Sequence, residues 1–215
     1  MKAAVRTLVV VALFFGVAGT AFGQIIPGDP GTYPSVSVVN SPHNLNNYPG
    51  VSIPGNQVCL PCHTPHNALL SGEENVLWNH AETTETFVMF KSTAGQPEGH
   101  SKLCLSCHDG VTAIDNYGGN GGTGIVISGQ AAIGTDLSND HPIGVEYPTA
   151  NPAEYQDPAS FDPGINGGAG VRLITINSVE RVECTSCHNV HNNGLGNFLR
   201  VPLQESYICL QCHIK

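Results

Sequence analysis

Basic residues are scarce in this chain. Its 215 residues include eight lysines and arginines against 17 acidic residues, which gives a formal charge of −9 at neutral pH. A nucleic-acid-binding surface needs clustered basic side chains, so the composition argues against nucleic acid as a partner. An acidic surface is compatible with solubility or with basic protein partners.

Apolar runs long enough to cross a membrane are also lacking. The run Leu8–Val17 is short, whereas a spanning helix needs about 20 apolar residues. It follows Lys2 and Arg6 and precedes Ala21-Phe22-Gly23, a small-x-small cleavage site. This order is typical of a secretory signal peptide, with a retained anchor helix as the alternative. We therefore expect a signal peptide at residues 1–23 and one domain at residues 24–215.

The expected mature chain is more acidic than the whole sequence. Two of the eight basic residues lie in the signal peptide, so six remain against 17 acidic residues, a formal charge of −11. No cysteine follows the cleavage site directly, so a lipid anchor is not indicated. No later stretch approaches a membrane span.

One type of motif accounts for every cysteine in the chain. The eight cysteines form four C-x-x-C-H pentads, at Cys59–His63, Cys104–His108, Cys184–His188 and Cys209–His213. This pentad is the attachment signature of a c-type heme. The two thiols form thioethers to the porphyrin vinyl groups, and the adjacent histidine reaches the iron as proximal ligand. The sequence therefore predicts four covalently attached heme c groups, with thioethers at Cys59, Cys62, Cys104, Cys107, Cys184, Cys187, Cys209 and Cys212, and proximal ligands at His63, His108, His188 and His213.

Two other uses of cysteine have to be weighed. A lone C-x-x-C is also found in redox dithiols and in halves of zinc sites. An even number of cysteines in an exported chain is also typical of a disulfide framework. Neither use explains why a histidine follows the second cysteine in all four copies. Covalent heme is therefore the favoured interpretation, and it agrees with export, because this attachment takes place outside the cytoplasm.

Regular periodicity is scarce, and this shapes the expected fold. The chain has 25 glycines and 15 prolines, and only 12% of its residues are charged. We predict a multiheme cytochrome c made mostly of irregular loop, with short helices at the heme motifs, a small β element and a core built from four hemes. Residues 24–57 are expected to be loop, Glu73–Lys91 a short helix, Gly124–Ser128 a possible strand and Val171–Ile176 the best strand candidate.

Methionine, the other common sixth ligand of heme iron, is nearly absent. Only two methionines are present, and Met89 alone remains after the signal peptide, in an apolar segment typical of core packing. At least three hemes therefore lack a methionine ligand. Bis-histidine ligation of all four is the economical assignment.

Ten histidines are present, so six remain after the proximal four. His66 and His191 each follow a proximal histidine by three residues. One backbone turn cannot place two imidazoles on opposite faces of one iron, so each is expected to ligate a neighbouring heme. The other distal candidates are His141, which Asp140 and Pro142 flank, His80 and His43. His100, between Gly99 and Ser101, is expected to be solvated.

Two histidines on each iron would fill its coordination sphere. Activation of a small molecule needs an open position, so the expected function is electron transfer. Imidazole pairs stabilise ferric iron relative to His/Met ligation, which predicts low reduction potentials. Four hemes on one short chain must lie close together, and close centres make a conducting row.

Several segments carry a family resemblance. These are CLPCHTPHN (59–67), LWNH (77–80), SKLCLSCHDG (101–110), NDHPIG (139–144), VECTSCHNVHN (182–192) and CLQCHIK (209–215). In this order they resemble the exported multiheme cytochromes c of the doubled-CXXCH type, and most closely the OmcE-type tetraheme cytochromes, which polymerise into extracellular conductive filaments. The resemblance covers most of the chain from His43 onward.

The resemblance implies a set of ligands and partners. In such filaments the hemes are bis-histidine, and one histidine of each subunit ligates a heme of the adjacent subunit. Transferred here, His66 is the expected donor to the third heme of the next subunit, His191 ligates the first heme, His141 the second, and His43 or His80 the fourth. The expected partners are further copies of the chain, joined end to end, and other redox proteins or extracellular electron acceptors.

Two alternatives remain open at this point. A monomeric periplasmic shuttle would use the same ligands within one chain. A heme enzyme, such as a nitrite or hydroxylamine converter, would need one five-coordinate iron. Secretion to the cell surface or the extracellular space is expected for the filament, and the periplasm is the alternative location.

Overall fold

The computed structural model describes residues 37–68, 76–90, 95–162 and 170–215. The expected signal peptide and the first part of the expected N-terminal loop lie outside these ranges. All ten histidines and all eight cysteines lie inside them.

Regular secondary structure in the described residues is limited to short elements. Three α-helices are present, and each overlaps a C-x-x-C-H motif: α1 (Gly99–His108), α2 (Cys184–Cys187) and α3 (Tyr207–Leu210). Three short strands, β1 (Val145–Glu146), β2 (Ile174–Ile176) and β3 (Val179–Val182), form one antiparallel sheet in the order β1-β3-β2. Six single-turn 3-10 helices lie at Val38–Asn40, Leu45–Asn47, Pro54–Asn56, Gly129–Ala131, Pro158–Ser160 and Gln204–Ser206.

The predicted architecture of loops, short helices and a small β element is confirmed in outline, with corrections to four segments. The first motif, at residues 59–63, forms turns and no helix. The best strand candidate, Val171–Ile176, contains a strand only from Ile174. The predicted strand at Gly124–Ser128 was wrong, because those residues make no ladder in the structure.

The expected helix at Glu73–Lys91 was also wrong over residues 76–90, the part of it that the structure describes. Side chains take the place of helical hydrogen bonds here. The Phe87 N–H donates to Gln96 Oε1 at 2.8 Å, and Gln96 Nε2 donates to the Phe87 carbonyl at 2.9 Å. The Thr83 N–H donates to Ser106 Oγ at 2.9 Å. The segment is thus held extended beside α1.

A tight hairpin joins β2 to β3. Asn177 and Ser178 both adopt left-handed backbone angles, with φ of 52° and 63°, as a two-residue turn between twisted strands requires. Ile174 and Ile176 are buried while Thr175 is exposed. Gly99 opens α1 against this strand, and a Cβ there would lie 2.6 Å from Ile176 Cδ1. A glycine is therefore needed where α1 meets the sheet.

The apolar core is divided into three small clusters, and each borders one or more of the motifs. The buried members of the clusters are Leu45, Ile53, Ile114 and Tyr117 in the first, Phe87, Leu105 and Leu137 in the second, and Val171, Val201 and Ile208 in the third. Met89 packs against the second cluster, as its apolar context predicts. In the described ranges, no helix is long and apolar enough to cross a membrane.

Candidate heme sites

Each motif closes one backbone turn that brings its histidine back beside its first cysteine. The histidine N–H donates to the carbonyl of the first cysteine at 2.9 Å for His63, 3.0 Å for His188 and 2.9 Å for His213. The second motif lies wholly within α1, where the same spacing is one helical hydrogen bond. Both thiols and the imidazole of a motif therefore come from a single turn, as attachment to one porphyrin requires.

A second segment of the chain braces each motif. A backbone N–H donates to the carbonyl of the second cysteine in three of them: from Asn79 to Cys62 at 3.0 Å, from Arg200 to Cys187 at 2.9 Å, and from Gln156 to Cys212 at 2.9 Å. In the second motif, the N–H groups of Ile133 and Gly134 donate to the His108 carbonyl at 2.8 and 3.1 Å. Of these segments only LWNH (77–80) was singled out in the sequence, and it was noted for the family resemblance and for His80, so their bracing role was missed.

The bracing segments also orient the proximal imidazoles. Nδ1 lies at hydrogen-bond distance from a carbonyl in three of them: 2.6 Å from His63 to Val76, 2.7 Å from His108 to Ala131, and 2.7 Å from His188 to Asn197. In a neutral ring, a donating Nδ1–H leaves Nε2 with a lone pair for a metal. A backbone carbonyl on the other ring nitrogen is the usual support of a metal-bound histidine.

The thiols are free in the structure, with six cysteines half-buried and two, Cys59 and Cys209, exposed. None of the eight cysteines forms a disulfide. Burial raises the pKa of Cys62, Cys187 and Cys212 to about 11 in each case. Over the ranges that the structure describes, no three His, Cys, Asp or Glu side chains converge as a metal-ion site would require.

The motifs follow one another in space in chain order. Cys62 of the first motif lies close enough to Cys107 of the second to raise its pKa, after the larger effect of burial. The Cys104 and Cys184 thiols are hydrogen-bonded, which joins the second motif to the third and raises the pKa of Cys104. Cys187 lies close to Cys212, which joins the third to the fourth. The attachment points thus form an unbranched row.

Two backbone-to-side-chain hydrogen bonds at Ser101 hold the second and third motifs together. The Ser101 N–H in α1 donates to Glu183 Oε2 at 3.0 Å, and the Cys184 N–H donates to Ser101 Oγ at 3.0 Å. Glu183 also begins α2, where the Ser186 hydroxyl accepts its N–H at 2.9 Å. The Ser101 and Glu183 side chains therefore connect α1 to α2 at the middle of the row.

Three proximal histidines each face one other imidazole. The ring centroids of His63 and His191 are 6.1 Å apart, those of His108 and His43 are 6.1 Å apart, and those of His213 and His141 are 6.3 Å apart. These pairs connect residues that are far apart in the sequence. Two of the five distal candidates, His66 and His80, are not paired in this way within the described residues.

The separation in these pairs fits two imidazoles on opposite faces of one iron. A metal–imidazole nitrogen bond is about 2.0–2.1 Å long, and a ring nitrogen lies about 1.2 Å from its centroid, so the two centroids should be about 6.4 Å apart. Parallel rings stacked in direct contact are closer, as the 4.4 Å stack of His43 on Phe198 shows. The residues present therefore fit heme at the first, second and fourth motifs.

His43 is held ready to act as a neutral ligand. Burial lowers its pKa to about 4, helped by the nearby His108. Phe198 stacks on its ring with an interplanar angle of 27°. Asn197, the preceding residue, provides the carbonyl for His188 Nδ1. Both residues have left-handed backbone angles, with φ of 48° and 56°. This strained turn therefore supports the second and third motifs together, and no sequence signal indicated it.

Replacing Phe198 by alanine should loosen His43 while leaving the hemes attached. An aromatic pair of this kind stabilises its geometry by about 0.5–1.5 kcal/mol, so the dissociated form of His43 should rise about two- to thirteenfold. We expect a faster reaction of reduced protein with carbon monoxide at one heme. Leu195→Ala, an exposed position in the same loop, is the control. Equal rates in the two variants would show that the stack does not hold His43.

The remaining three histidines occupy different environments. His66 is exposed on a turn after the first motif. His80 is buried, with Nδ1 2.7 Å from the Ala81 carbonyl and Nε2 3.0 Å from the Ala113 carbonyl. The expectation that His100 is solvated was wrong: it is only 7% exposed, and its Nδ1 lies 2.7 Å from Thr185 Oγ1. Contact between α1 and α2 buries it.

Two of the heme assignments that the family resemblance implied differ from the structure. His141 was expected at the second heme, but its ring lies beside His213 of the fourth motif. His43 was one of two candidates for the fourth heme, and it lies instead beside His108 of the second. The β1 region, which follows His141, packs toward the fourth motif through Tyr147, whose hydroxyl donates to the Cys212 carbonyl at 3.2 Å. That packing carries His141 to the far end of the row. His191 lies beside His63, as the resemblance implied.

Comparison with known proteins gives one family match. Residues 177–215 match the doubled CXXCH motif. The match covers the third and fourth pentads and supports a multiheme c-type cytochrome with covalently bound heme. No curated protein matches the chain significantly.

Proposed function

We propose that this protein is a low-potential tetraheme c-type cytochrome with bis-histidine ligation, which polymerises into an extracellular filament for long-range electron transfer. The observation that carries the proposal is the set of three imidazole pairs at 6.1–6.3 Å. Proteins with doubled CXXCH motifs are typically electron carriers. When bound, each heme iron alternates between the ferric and ferrous states and so carries one electron.

The residues of the chain would hold the irons and would not themselves make or break covalent bonds during electron transfer. In the proposed ligand set, His63 pairs with His191, His108 with His43, and His213 with His141. When both histidines of a pair are in place, small molecules and water are kept from the iron. The surroundings of the iron then change little when it gains or loses an electron. Carbonyls of the bracing segments keep the proximal rings in the ligating tautomer.

The third motif differs from the others and supports the filament. No second imidazole pairs with His188 anywhere in the described residues, which include every histidine of the chain. His80 and His100 are buried and hydrogen-bonded, so neither is available to it. His66 is the one exposed histidine outside the three pairs. We propose that it ligates the third heme of the next subunit.

A contact of this kind would repeat without closing. His66 lies at the first motif, and the iron that it would reach lies at the third, so donor and acceptor are different surfaces of the same chain. Such heterologous contacts build helical filaments unless the rotation closes a ring. A c-type cytochrome suggests export, and we place the filament outside the cell, with the periplasm as the alternative location.

Imaging and spectroscopy of the purified protein test the proposal together. We expect negative-stain micrographs to show filaments, and electron paramagnetic resonance of the same material to show only low-spin ferric heme. Intact mass should give four hemes per chain. A uniform small monomer with four low-spin hemes would contradict the filament and leave a periplasmic electron shuttle.

One structural feature favours a second candidate. The face of the third motif opposite His188 has no imidazole from its own chain, and a heme enzyme needs one such open position. If the protein is a heme enzyme of this kind, a high-spin heme should persist in assembled as well as monomeric protein. Loss of the high-spin signal on assembly would instead show that a neighbouring subunit fills the position.

A further inference from the structure

A small cavity reaches from the protein surface to the junction between the second and third motifs. Its volume is about 180 Å³, and its walls include Gly95, Gln96, Glu98, Gly144, Arg181 and Glu183. Gln96 and Glu98 are exposed, whereas Glu183 is only 1% exposed. The cavity therefore connects a buried carboxyl group to solvent.

Glu183 is hydrogen-bonded through only one of its carboxyl oxygens. Oε2 accepts the Ser101 N–H of α1 at 3.0 Å, whereas Oε1 is buried and has no hydrogen-bond partner among the described residues. Arg181 Nε, in the wall of the same cavity, is likewise buried and without a partner there. A polar cavity of this size has room for water between the two atoms. Burying a carboxylate with one oxygen unsatisfied is unfavourable, which favours uptake of a proton.

The charged groups that line the cavity act on Glu183 in opposite directions. Burial raises the pKa of its carboxyl group, and the negative charge of Glu98 at the mouth of the cavity raises this pKa further. The hydrogen bond from Ser101 and the positive charge of Arg181 lower the same pKa. The net effect is a pKa above the ordinary glutamate value of 4.5, so Glu183 can change its protonation state in milder conditions than an exposed glutamate.

The helices on either side of Glu183 contribute three more titratable side chains. His100 of α1 contacts α2, where its Nδ1 lies 2.7 Å from Thr185 Oγ1. Cys104 of α1 and Cys184 of α2 are free thiols in the structure, and a thioether does not titrate. Glu183 directly precedes Cys184, so it lies next to the attachment point of the third heme. The charge that changes beside it during electron transfer is therefore that of the third heme.

We propose that Glu183 takes up one proton from solvent through this cavity when the heme attached at Cys184 and Cys187 is reduced, and releases the proton when that heme is oxidised. The inference rests on the proposed heme attachment. One electron from the preceding carrier converts ferric to ferrous iron, and one proton converts the carboxylate to the neutral acid, so the total charge at the junction is unchanged. Ferrous iron carries one positive charge fewer, so it stabilises a neighbouring carboxylate less, and the proton affinity of Glu183 rises. With an effective dielectric constant of about 20, that rise should be about tenfold.

Redox titration of the intact, heme-loaded protein at a series of pH values tests the inference. A protonated Glu183 favours ferrous iron, and the proton is lost as the pH rises, in a window above pH 4.5. The ferrous-to-ferric ratio of one heme at a fixed potential should therefore fall about tenfold in total, which for a one-electron couple is a shift of about 59 mV. In Glu183→Gln, which keeps an oxygen for the Ser101 N–H, this fall should disappear. Glu180→Gln, which removes an exposed carboxylate from β3, is the matched control and should keep it.

Infrared difference spectroscopy gives a readout that a purely structural role would not produce. Reduced-minus-oxidised spectra of the unaltered protein should contain the C=O stretch of a carboxyl group that becomes protonated on reduction. This band should shift when the protein is made with isotope-labelled glutamate, and it should be absent from Glu183→Gln. Heme propionates also titrate, but glutamate labelling leaves their bands in place.

Two results would overturn the inference. The first is an equal fall of the ratio in Glu183→Gln and in the unaltered protein, and the second is an equal loss of the fall in Glu180→Gln. If Glu183→Gln does not accumulate, the unaltered protein decides, because a difference spectrum without a glutamate C=O band would exclude proton uptake at this residue. Fewer than four hemes in a protein that keeps the pH dependence would count against the proposed function and leave the proton site standing.

Discussion

A chain that cannot attach heme is expected to be largely unfolded. The protein's own apolar core consists of three separate clusters of three or four buried side chains, too small to offset the conformational entropy of so much ordered loop. Cysteines border two of these clusters, so the porphyrin surfaces would complete them. When a site does not exist in the unfolded chain, the free energy of binding becomes free energy of folding.

The test replaces all eight cysteines by alanine in the full chain. We expect a far-ultraviolet circular dichroism spectrum without the native features and no cooperative thermal transition. Amide exchange should show protection below about tenfold even in the sheet, where an intact fold would give far more. The double variant Cys209→Ala, Cys212→Ala is the control. It should lose one heme yet keep protection at Ile114, whose N–H donates to the Ile125 carbonyl at 2.8 Å near the first two motifs. Native-like protection in the chain without cysteines would refute a heme-built core.

The heme motifs could be predicted from the sequence because their chemistry is local. Five consecutive residues provide both thiols and one imidazole, so the spacing of these residues is enough to predict heme attachment. The distal imidazoles are different, since nothing near His43 in the sequence indicates His108. That pair forms because Leu45 and Ile53 pack with Ile114 and Tyr117 in one cluster, which folds the N-terminal loop onto the second motif.

Local sequence context gave the wrong prediction where a contact from elsewhere in the chain decides the conformation. His100 lies between small residues and was expected in solvent, yet α2 approaches from the third motif and Thr185 bonds its ring. Residues 76–90 form no helix because the Gln96 side chain is hydrogen-bonded to both the backbone N–H and the carbonyl of Phe87. In a fold with few helices and strands, side-chain hydrogen bonds and imidazole pairs replace periodic structure, and such contacts leave no periodic signal in the sequence.

Replacing His66 by alanine is expected to abolish assembly while leaving four hemes attached. The thioether cysteines and proximal histidines are untouched, so attachment should proceed. The third iron would lack a ligand from the neighbouring subunit, and one heme in four should become high-spin. Even residues that only support a metal ligand change metal affinity 10–100-fold, so losing the ligand itself should weaken assembly at least about a hundredfold. Negative-stain imaging and electron paramagnetic resonance measure the two effects.

Two further variants separate ligation from simple surface damage. Gln57→Ala changes an exposed residue in the turn before the same motif and should leave filaments and spectrum unchanged. His66→Met keeps a side chain able to bind iron, so it should restore part of the assembly and raise the potential of one heme, because His/Met ligation favours ferrous iron. Filaments with a fully low-spin spectrum in His66→Ala would rule out His66 as the bridging ligand. Filaments in which one heme is high-spin would mean that surface contacts alone hold the subunits together. His66 would then ligate the neighbouring iron without being needed for assembly.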